Sequence, residues 1–501
     1  MRKKIYSIKL AAFILMLSLQ FAKAQNNGSY NVKQYGAIGD GKNLDSKAIN
    51  KAIDAAANAG GGTVFIPAGN YLSGSIRLKS NVSLYIDQGA TIIAAPVTEA
   101  NDYDDEENTI NTIYQDSGHS HFHNSLIWGE NLHDVSILGQ GTIWGKDLYH
   151  DYVKSKQSAN KAIALYKCRN VNISDITIAH GGWFGILATG VDNLTINNIK
   201  EDTNRDGMDI DCCRNVHVSN CSVNSPNDDG ICLKSTFALG FARATENVTI
   251  TNCIVSGFNE GSFLDGTYQR NPDPNFEPTG RIKLGTESNG GFKNITISNC
   301  TFNYCRGLAL ETVDGGLLED VTITNITMRD IANAPIFLRL ASRMRGPDTA
   351  KIGELRRVII SNIVAYNVRH TILISGIKDH NIKDIEIKNA KFYFKGNGTA
   401  EQAKREVPEL EKGYPEPGSF GILPAYGIYA RHVDGLKLED IELHVINNDA
   451  RPAISFDDVN SAGLLFVKAP NSTGASPIVQ TNSSGITLFQ SLNLPDGKLN
   501  P

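Results

Sequence analysis

The sequence predicts an all-β protein, a single-stranded right-handed parallel β-helix with a short N-terminal capping helix. Three observations lead to this prediction: a repeated strand phrase, a repeat spacing near 22 residues, and one isolated helical pattern near the N-terminus. Repeats that each bury one apolar stripe stack on their neighbours and share a continuous core, which is typical of solenoid proteins.

The strand phrase has the form Asn-Val-x-Ile and alternates β-branched with polar residues, the pattern of a strand with one buried face. Its copies begin at Asn170, Asn193, Asn215, Asn247, Asn294 and Asp320, and later copies lie near Arg357, Asn381 and Gly435. The first spacings, 23 and 22 residues, suit one coil of three short strands, and larger gaps of 32, 47 and 37 residues indicate loops inserted into a turn. We expect the repeated asparagine to form a side-chain amide ladder and to tolerate a left-handed backbone.

A helical pattern covers residues 45–57, with Ile49 and Ile53 on one face. Three glycines at 60–62 end it, and a strand is expected at 63–66. Such a helix would cap the open end of the solenoid core. Four longer segments are predicted to be insertions, the first three lining a cleft: residues 96–124, 257–280, 339–357 and 395–425.

The eight cysteines of an exported chain would ordinarily suggest disulfides. However, Cys221, Cys253 and Cys300 fall at the same point of the repeat, so we predict free thiols stacked inside the solenoid. The pairs Cys212–Cys213 and Cys300–Cys305 stay open as exceptions to this prediction.

Residues 1–24 have the basic start, apolar centre and small-residue cleavage site of a secretory signal peptide. We therefore predict two parts, a signal peptide at 1–24 and one β-helix domain at 25–501, in a protein exported to the periplasm or secreted. The mature chain carries 43 basic and 53 acidic residues, a net charge of −10, which argues against nucleic acid as a partner. No membrane span is predicted, and we expect a monomer.

Two acidic stretches carry the chemistry. Asp206 lies in Asn-Arg-Asp-Gly and Asp228 and Asp229 lie in Asn-Asp-Asp-Gly, and Asp206 and Asp228 are 22 residues apart, or one coil. Carboxyl groups on neighbouring coils would lie about 4.8 Å apart along the stack and face one cleft. Glycoside hydrolysis uses such groups, one protonated to donate to the leaving oxygen and others ionised to activate water. Like charges so close together should raise at least one pKa.

Over nearly the whole mature length, the chain resembles glycoside hydrolase family 28, the pectin-degrading polygalacturonases with a pectin-lyase-like solenoid. The opening at residues 30–41 and the two acidic stretches carry this resemblance. It implies that Asp228 is the general acid, that Asp206 and Asp229 position the attacking water, and that the reaction inverts the anomeric carbon. It implies no metal and no cofactor.

Two motifs of the family are missing. Where the family has Gly-His-Gly, this chain has Arg281 and Lys283, and where the family has Arg-Ile-Lys, it has Ala309 and Glu311. The sugar at that subsite is therefore either neutral or a uronate held by other bases. The residues predicted to contact the substrate are Lys234, Arg281, Lys283, Glu311 and Arg339, and Arg343 and Arg345 are further candidate bases.

Two other features have alternative interpretations. His119, His121 and His123 alternate along one segment and have the ligand types of a metal site, although we favour a role in shaping the cleft rim. Trp183 suits either a sugar-stacking platform or a buried place in the solenoid.

The sequence thus predicts an exported glycoside hydrolase that acts on a pectic or related plant or algal polysaccharide or oligosaccharide, with exo action. A uronate-eliminating lyase or dehydratase on the same fold stays open, because that chemistry needs a base near C5 and a neutralised carboxylate. A non-catalytic carbohydrate-binding β-helix is the third alternative. Retention of three aspartates at hydrolytic spacing argues against it.

Overall fold

The computed structural model describes residues 28–98, 103–107, 113–149, 160–470 and 476–499. The predicted signal peptide at 1–24 lies outside these residues. The described part forms a stack of parallel coils, and the predicted parallel β-helix is confirmed.

The chain contains one α-helix, α1 (Ser46–Asn58), and 35 strands in the described residues. The strands of the first half are β1 (Ser29–Asn31), β2 (Asp40–Leu44), β3 (Gly62–Ile66), β4 (Gly69–Ser73), β5 (Ile76–Arg77), β6 (Val82–Ile86), β7 (Ala90–Ala94), β8 (Ile127–Glu130), β9 (His133–Gly139), β10 (Thr142–Trp144), β11 (Lys161–Tyr166), β12 (Arg169–Ser174), β13 (Thr177–Ala179), β14 (Phe184–Thr189), β15 (Asp192–Asn197), β16 (Lys200–Asp202), β17 (Asp206–Asp211), β18 (Arg214–Ser219), β19 (Ser222–Asn224), β20 (Ile231–Ser235), β21 (Thr245–Thr251) and β22 (Ile254–Ser256).

The remaining strands are β23 (Ile282–Ser288), β24 (Phe292–Asn303), β25 (Leu308–Thr312), β26 (Leu317–Ile331), β27 (Ile336–Leu340), β28 (Glu354–Val368), β29 (Ile372–Ser375), β30 (Ile382–Phe394), β31 (Ile428–Val445), β32 (Ile454–Leu465), β33 (Ile478–Thr481), β34 (Thr487–Phe489) and β35 (Gly497–Lys498). Short 3₁₀ turns occupy Val32–Tyr35, Ser117–His119, Gln402–Lys404 and Pro417–Phe420.

Each coil places its strands in three sheets. The first sheet contains the repeated phrase, in β9, β12, β15, β18, β21 and the strands that follow. The second sheet begins with β2, β4 and β7, and the third sheet contains β11, β14, β17, β20, β23, β25, β27 and β29 in that order. From β24 onward a long strand bends around the corner between the first two sheets.

The repeats stack in register, so that like residues lie above one another. In the first sheet Ile173 pairs with Ile196, Ile196 with Val218, and Val218 with Ile250, and all four side chains are buried. Burial of each such side chain contributes roughly 1.5–3 kcal/mol. The core is therefore a column of β-branched residues whose period comes directly from the repeat.

The predicted amide ladder is present at the turn that precedes the phrase. The side-chain nitrogen of Asn193 donates to Asn170, that of Asn215 to Asn193, that of Asn247 to Asn215 and that of Asn294 to Asn247, over 2.8–3.1 Å. Each of these residues has a left-handed φ between 53° and 58°. Asparagine tolerates this conformation better than other non-glycine residues, and the ladder satisfies its amide.

The cysteine prediction is also confirmed. All eight cysteines are buried and none forms a disulfide bond. The pairs Cys212–Cys213 and Cys300–Cys305 are therefore not disulfides. Cys221, Cys253 and Cys300 occupy the solenoid core, where a thiol serves as a small apolar residue.

The predicted helix is present as α1, which begins one residue after Asp45. Ile49, Ile53 and Ala56 are fully buried and cover the end of the solenoid. The Asp45 carboxylate accepts from the backbone N–H groups of Ile38 and Gly39, and so holds the preceding turn against the helix start. The described residues contain no helix that is long and apolar enough to cross a membrane.

We predict that Asn247→Ala destabilises the protein by about 2 kcal/mol, because alanine loses the two ladder hydrogen bonds and is strained at φ 58°. Urea unfolding followed by circular dichroism would measure the loss. Asn247→Gly, which removes the amide but accepts the backbone, should cost less than the alanine variant. An alanine variant as stable as the wild type would contradict a structural role for the ladder.

Candidate active site

The outer face of the third sheet carries a cluster of buried charges. Side chains in one column of this face come from Asp209, Cys232, Lys283 and Ala309, which pair in succession from β17 to β25. Charged residues normally lie on an exposed face. Asp209 and Lys283 are nevertheless buried, because inserted loops cover this face of the sheet on both sides.

Asp206, Asp228 and Asp229 come together at the start of β17 and β20. One oxygen from each carboxyl group lies within 4.8 Å of the others. The two acidic turns are stacked by backbone hydrogen bonds from Asn227 N–H to the Asn204 carbonyl and from Gly207 N–H to the Asp229 carbonyl. A Cβ at Gly207 would lie 2.5 Å from the Gly230 carbonyl oxygen, so the glycine lets the two turns approach.

Asp206 is buried among like charges. Burial, then the neighbouring carboxylates of Asp228 and Asp209, raises the pKa of Asp206 well above its usual range. This environment favours the protonated form of Asp206.

Asp228 is the accessible member of the three. Its side chain is 28% exposed, whereas the Asp206 and Asp229 carboxyls are buried. Arg205 donates to Asp228 over 2.6 Å, and the same guanidinium lies over the Trp183 ring at 4.7 Å. Trp183 is buried against Phe184, and the Arg205 guanidinium covers its ring.

Asp229 is held ionised. Burial alone would raise the pKa of Asp229, but Lys283, Arg281 and Lys234 outweigh it and hold the pKa well below the usual range. Arg281 donates to one oxygen over 2.7 Å, and the Lys283 ammonium lies 3.3 Å from the other. The pKa values of Asp206 and Asp229 are therefore shifted in opposite directions although the two residues share one small space.

A second row of charges lies beside the aspartates. Lys234 contacts Asp209 at 3.6 Å and Glu287 at 3.2 Å, and both carboxylates are buried. Arg343 pairs with Asp314 and lies 3.6 Å from Glu287. Lys234 thus lies within the cluster, as predicted for a residue at the site, but its charge is already balanced by the protein.

His119 belongs to the same row. Its Nε2 lies 2.7 Å from an Asp209 oxygen, and its ring packs edge-on against Phe184. His121 and His123 instead contact Glu107, and His123 also bonds Glu130. His119 is therefore buried within the charge cluster, whereas His121 and His123 share Glu107 as a partner, so the three histidines do not converge on one point.

Among the described residues, only the aspartate trio brings enough ligand atoms together for a metal ion. Arg205, Arg281 and Lys283 already lie against these carboxylates and supply the positive charge that a cation would bring.

Glu311 lies beyond Lys283 and is fully buried. Burial raises the pKa of Glu311 to about 7, and neither oxygen has a hydrogen-bond partner, although the Lys283 ammonium is 3.7 Å away. Gly285 makes room for it, since a Cβ there would lie 2.9 Å from the Glu311 Cβ. Glu311 is placed where it can change charge near neutral pH.

Arg339 lies one coil further along the third sheet, paired with Glu311. Its guanidinium donates to the carbonyls of Ser375, Gly376, Glu409 and Leu410 and to the Ser375 hydroxyl. This buried side chain fastens the 395–425 insertion to the solenoid, and the contact of Arg339 with substrate stays a prediction.

Two residues of that insertion reach the site and were not among the predicted site residues. Glu416 accepts from Arg281 over 2.6 Å and lies 3.0 Å from Arg306, and the Tyr414 hydroxyl bonds Thr286 and Lys283. Lys283 and Arg343 also lie over the Tyr414 ring. The insertion is about 100 residues from Glu311 in sequence, and its Tyr-Pro-Glu segment has no distinguishing motif.

The fold and the carboxylate cluster can now be compared with known proteins. A family model described as "Rhamnogalacturonase A/epimerase, pectate lyase-like" matches residues 29–268. A probable polygalacturonase of Vitis vinifera is 24% identical over 330 residues, which is 60% of this chain and 61% of that protein. The chain is polygalacturonase-like. The predicted resemblance to glycoside hydrolase family 28 is thereby confirmed.

An exo-poly-alpha-D-galacturonosidase of Dickeya chrysanthemi is 24% identical to this polygalacturonase-like chain over 366 residues, 62% of the chain and 57% of that protein. The chain thus spans about 60% of the length of these two relatives. The family 28 exopolygalacturonase of Yersinia enterocolitica has a TM-score of 0.61, with 18% identity over 93% of this chain and 79% of that chain, and shows the same fold.

We predict that Glu311→Gln stabilises this polygalacturonase-like protein at pH 8 and changes little at pH 5. The folded state keeps the Glu311 proton up to about pH 7, whereas the unfolded chain releases it near 4.5. Stability should therefore fall as the pH rises between these values, by up to about 3 kcal/mol. Thermal unfolding of both proteins at the two pH values measures this, and an equal effect of the substitution at pH 5 and pH 8 would contradict it.

Proposed function

We propose that the protein is a glycoside hydrolase that acts on a pectic or related plant or algal polysaccharide or oligosaccharide. The observation that carries this proposal is the trio itself, three carboxyl groups within 4.8 Å, in which the pKa of Asp206 is raised and the pKa of Asp229 is lowered. Hydrolysis of a glycoside needs a protonated and an ionised carboxyl group in one site. The relatives named as polygalacturonases support the same class of reaction.

Asp228 is the proposed general acid because its carboxyl is the one that a sugar can reach. A bound sugar would cover this carboxyl, and loss of water favours its protonated form. In this proposal the proton then moves from Asp206 to Asp228, whose oxygens lie within 4.8 Å of each other, and Asp228 passes it to the leaving oxygen.

The same transfer leaves Asp206 as a carboxylate with a raised pKa, which makes it the stronger base for the attacking water. Asp229 has a lowered pKa and is a weak base, so its part is to orient the water and to stabilise positive charge at the anomeric carbon. The three roles follow from three environments: one buried beside like charges, one exposed, and one bound to Arg281 and Lys283.

Exo action is supported by the insertions that surround the trio. Arg345 contacts Asp116 at 3.5 Å, and Ser342 donates to the Glu411 carbonyl, so three insertions meet around the site. On the far side, Val407 and Phe420 pack against Phe337 on the third sheet. A groove walled in this way receives the end of a chain more readily than its middle.

Export is proposed from residues 1–24 alone, which have the composition of a signal peptide. A protein that acts on plant or algal polysaccharides meets them outside the cytoplasm, and this agrees with the export proposal.

We predict that Asp228→Asn lowers kcat on a cleaved oligosaccharide at least 1,000-fold with little change in KM, because the amide does not donate a proton to the leaving oxygen. Asp206→Asn should lose a similar factor. The measurement is release of reducing ends from pectic and algal oligosaccharides, with Asp348→Asn, an exposed aspartate outside the cluster, as the matched control. Turnover by Asp228→Asn at the wild-type rate would overturn the mechanism.

We also predict that the first product has the inverted anomeric configuration. The trio is more compact than the roughly 6.5–9.5 Å separation typical of inverting carboxyl pairs, so the stereochemistry is a demanding test. Proton NMR of the anomeric signal in the first minutes of reaction distinguishes the two products. Retention would fit a direct attack by a carboxylate and would reject the water-activation roles of Asp206 and Asp229.

A further inference from the structure

The bases around Asp229 are already engaged by carboxylates of the protein. These inner bases are Lys234, Arg281, Lys283, Arg306 and Arg343. Each lies within 4.0 Å of at least one carboxylate oxygen. Their partners are Asp209, Asp229, Glu287, Glu311, Asp314 and Glu416.

Six carboxyl groups face these five bases and the exposed Arg345, which lies 3.4 Å from Glu287, so the bases in the described part of the site do not outnumber its carboxyl groups. Four of the five inner bases, all but Arg306, also have nearly buried side chains, so solvent contributes little to balancing them. A carboxylate brought in by a ligand would have to compete with the protein's own carboxyl groups for these bases. Burial of a charge that has no partner is costly.

Glu416 determines the balance of charge at the accessible edge of the site. It is the carboxylate that contacts Arg306, and it also takes the outer nitrogen of Arg281. Burial alone would raise the pKa of Glu416, but Arg281, Arg306 and Lys283 outweigh it and keep the pKa low. Glu416 thus occupies, as an ion, the place in which a uronate carboxylate would meet two arginines.

One further buried base lies on the other side of the trio. Lys161 precedes Phe184 in the third sheet, and Phe184 precedes Asp206. Its ammonium donates to the side-chain oxygens of Asn124 and Asn160 and is fully buried. Two amide oxygens already accept from this ammonium, and no surface of it faces an incoming sugar.

Tyr414 gives the same edge of the site an apolar surface. The residue is 53% exposed although its hydroxyl is bonded to Thr286, and its ring is fixed by Lys283 and Arg343. An exposed aromatic ring held in this way is suited to the C–H face of an uncharged pyranose.

We propose that the sugar unit held between Asp229, Arg306 and Tyr414 is uncharged, and that Glu416 is the residue that excludes a uronate there. This inference rests on the proposed function, since it names the substrate class of the same site. The altered family motifs left two alternatives, a neutral sugar or a uronate held by other bases, and the contacts of Glu416 favour the neutral sugar.

The test compares two probes that differ only in charge: trigalacturonate and the trisaccharide obtained when its carboxyl groups are reduced to alcohols. Binding to the full-length Asp228→Asn variant is measured by titration calorimetry, so that turnover does not interfere. We expect the reduced trimer to bind at least ten-fold more tightly than trigalacturonate. Tighter binding of trigalacturonate would overturn the inference.

The second arm adds Glu416→Gln to Asp228→Asn, which frees Arg306 and one side of Arg281. Trigalacturonate should then bind at least ten-fold more tightly than before, and the reduced trimer should change less than two-fold. The matched control is Glu406→Gln, which removes an exposed charge from the same insertion. It should change the affinity for neither trimer.

If neither trimer binds the single variant, gain of trigalacturonate binding by Glu416→Gln supports the inference, and no gain overturns it. If the double variant does not fold, which its melting temperature shows, the comparison of the two probes on the single variant decides. Failure of the proposed function would appear separately, as wild-type protein that binds a trimer but releases no reducing ends from any oligosaccharide.

Discussion

The in-register parallel hydrogen bonding between successive coils is the constraint on which the rest of the structure depends. It places each residue one coil above its counterpart, so a side chain repeated in sequence becomes a column in space. The same rule builds the apolar core from valine and isoleucine, the amide ladder from asparagine, and the carboxylate trio from two acidic turns. The core, the turns and the site all follow from the same repeat spacing of about one coil along the chain. Carboxyl groups that repel one another are held together because the backbone on either side is fixed by bonds that do not involve them.

The mutually repelling carboxyl groups of the trio show that the surroundings of a side chain, and not only its residue type, determine its chemical properties. Asp206, Asp228 and Asp229 are identical side chains on adjacent turns, yet burial beside like charges raises the pKa of Asp206, contact with two bases lowers the pKa of Asp229, and only Asp228 is partly exposed to solvent. Arg281 and Lys283 lie where the family's histidine motif was expected, and here they fix the charge of Asp229.

The sequence was sufficient for the fold, the ladder, the free cysteines and the aspartate trio, because all of these depend on local spacing. It also indicated that Arg281, Lys283 and Glu311 lie near one another, since Lys283 and Glu311 lie on consecutive strands of one sheet and Arg281 immediately precedes the first of them. It did not indicate Glu416 or Tyr414, because a loop of this length can fold back in many ways, and its position depends on the packing of Val407 and Phe420 and on Arg339. Sequence spacing also does not distinguish whether a guanidinium such as that of Arg339 holds a loop or a ligand.

The contacts between insertions have a consequence for the order in which the protein matures. The aspartate trio is assembled from residues 206–229, so it can form as soon as a few central coils have stacked. The enclosure around it needs Asp116 from an early coil, Arg345 from a later one, and Glu416 from near the end of the chain. During synthesis the three carboxyl groups of the proposed site are therefore translated before Arg345 and Glu416, which help to enclose them. Any selectivity that this enclosure gives the proposed site depends on the last part of the chain to be made.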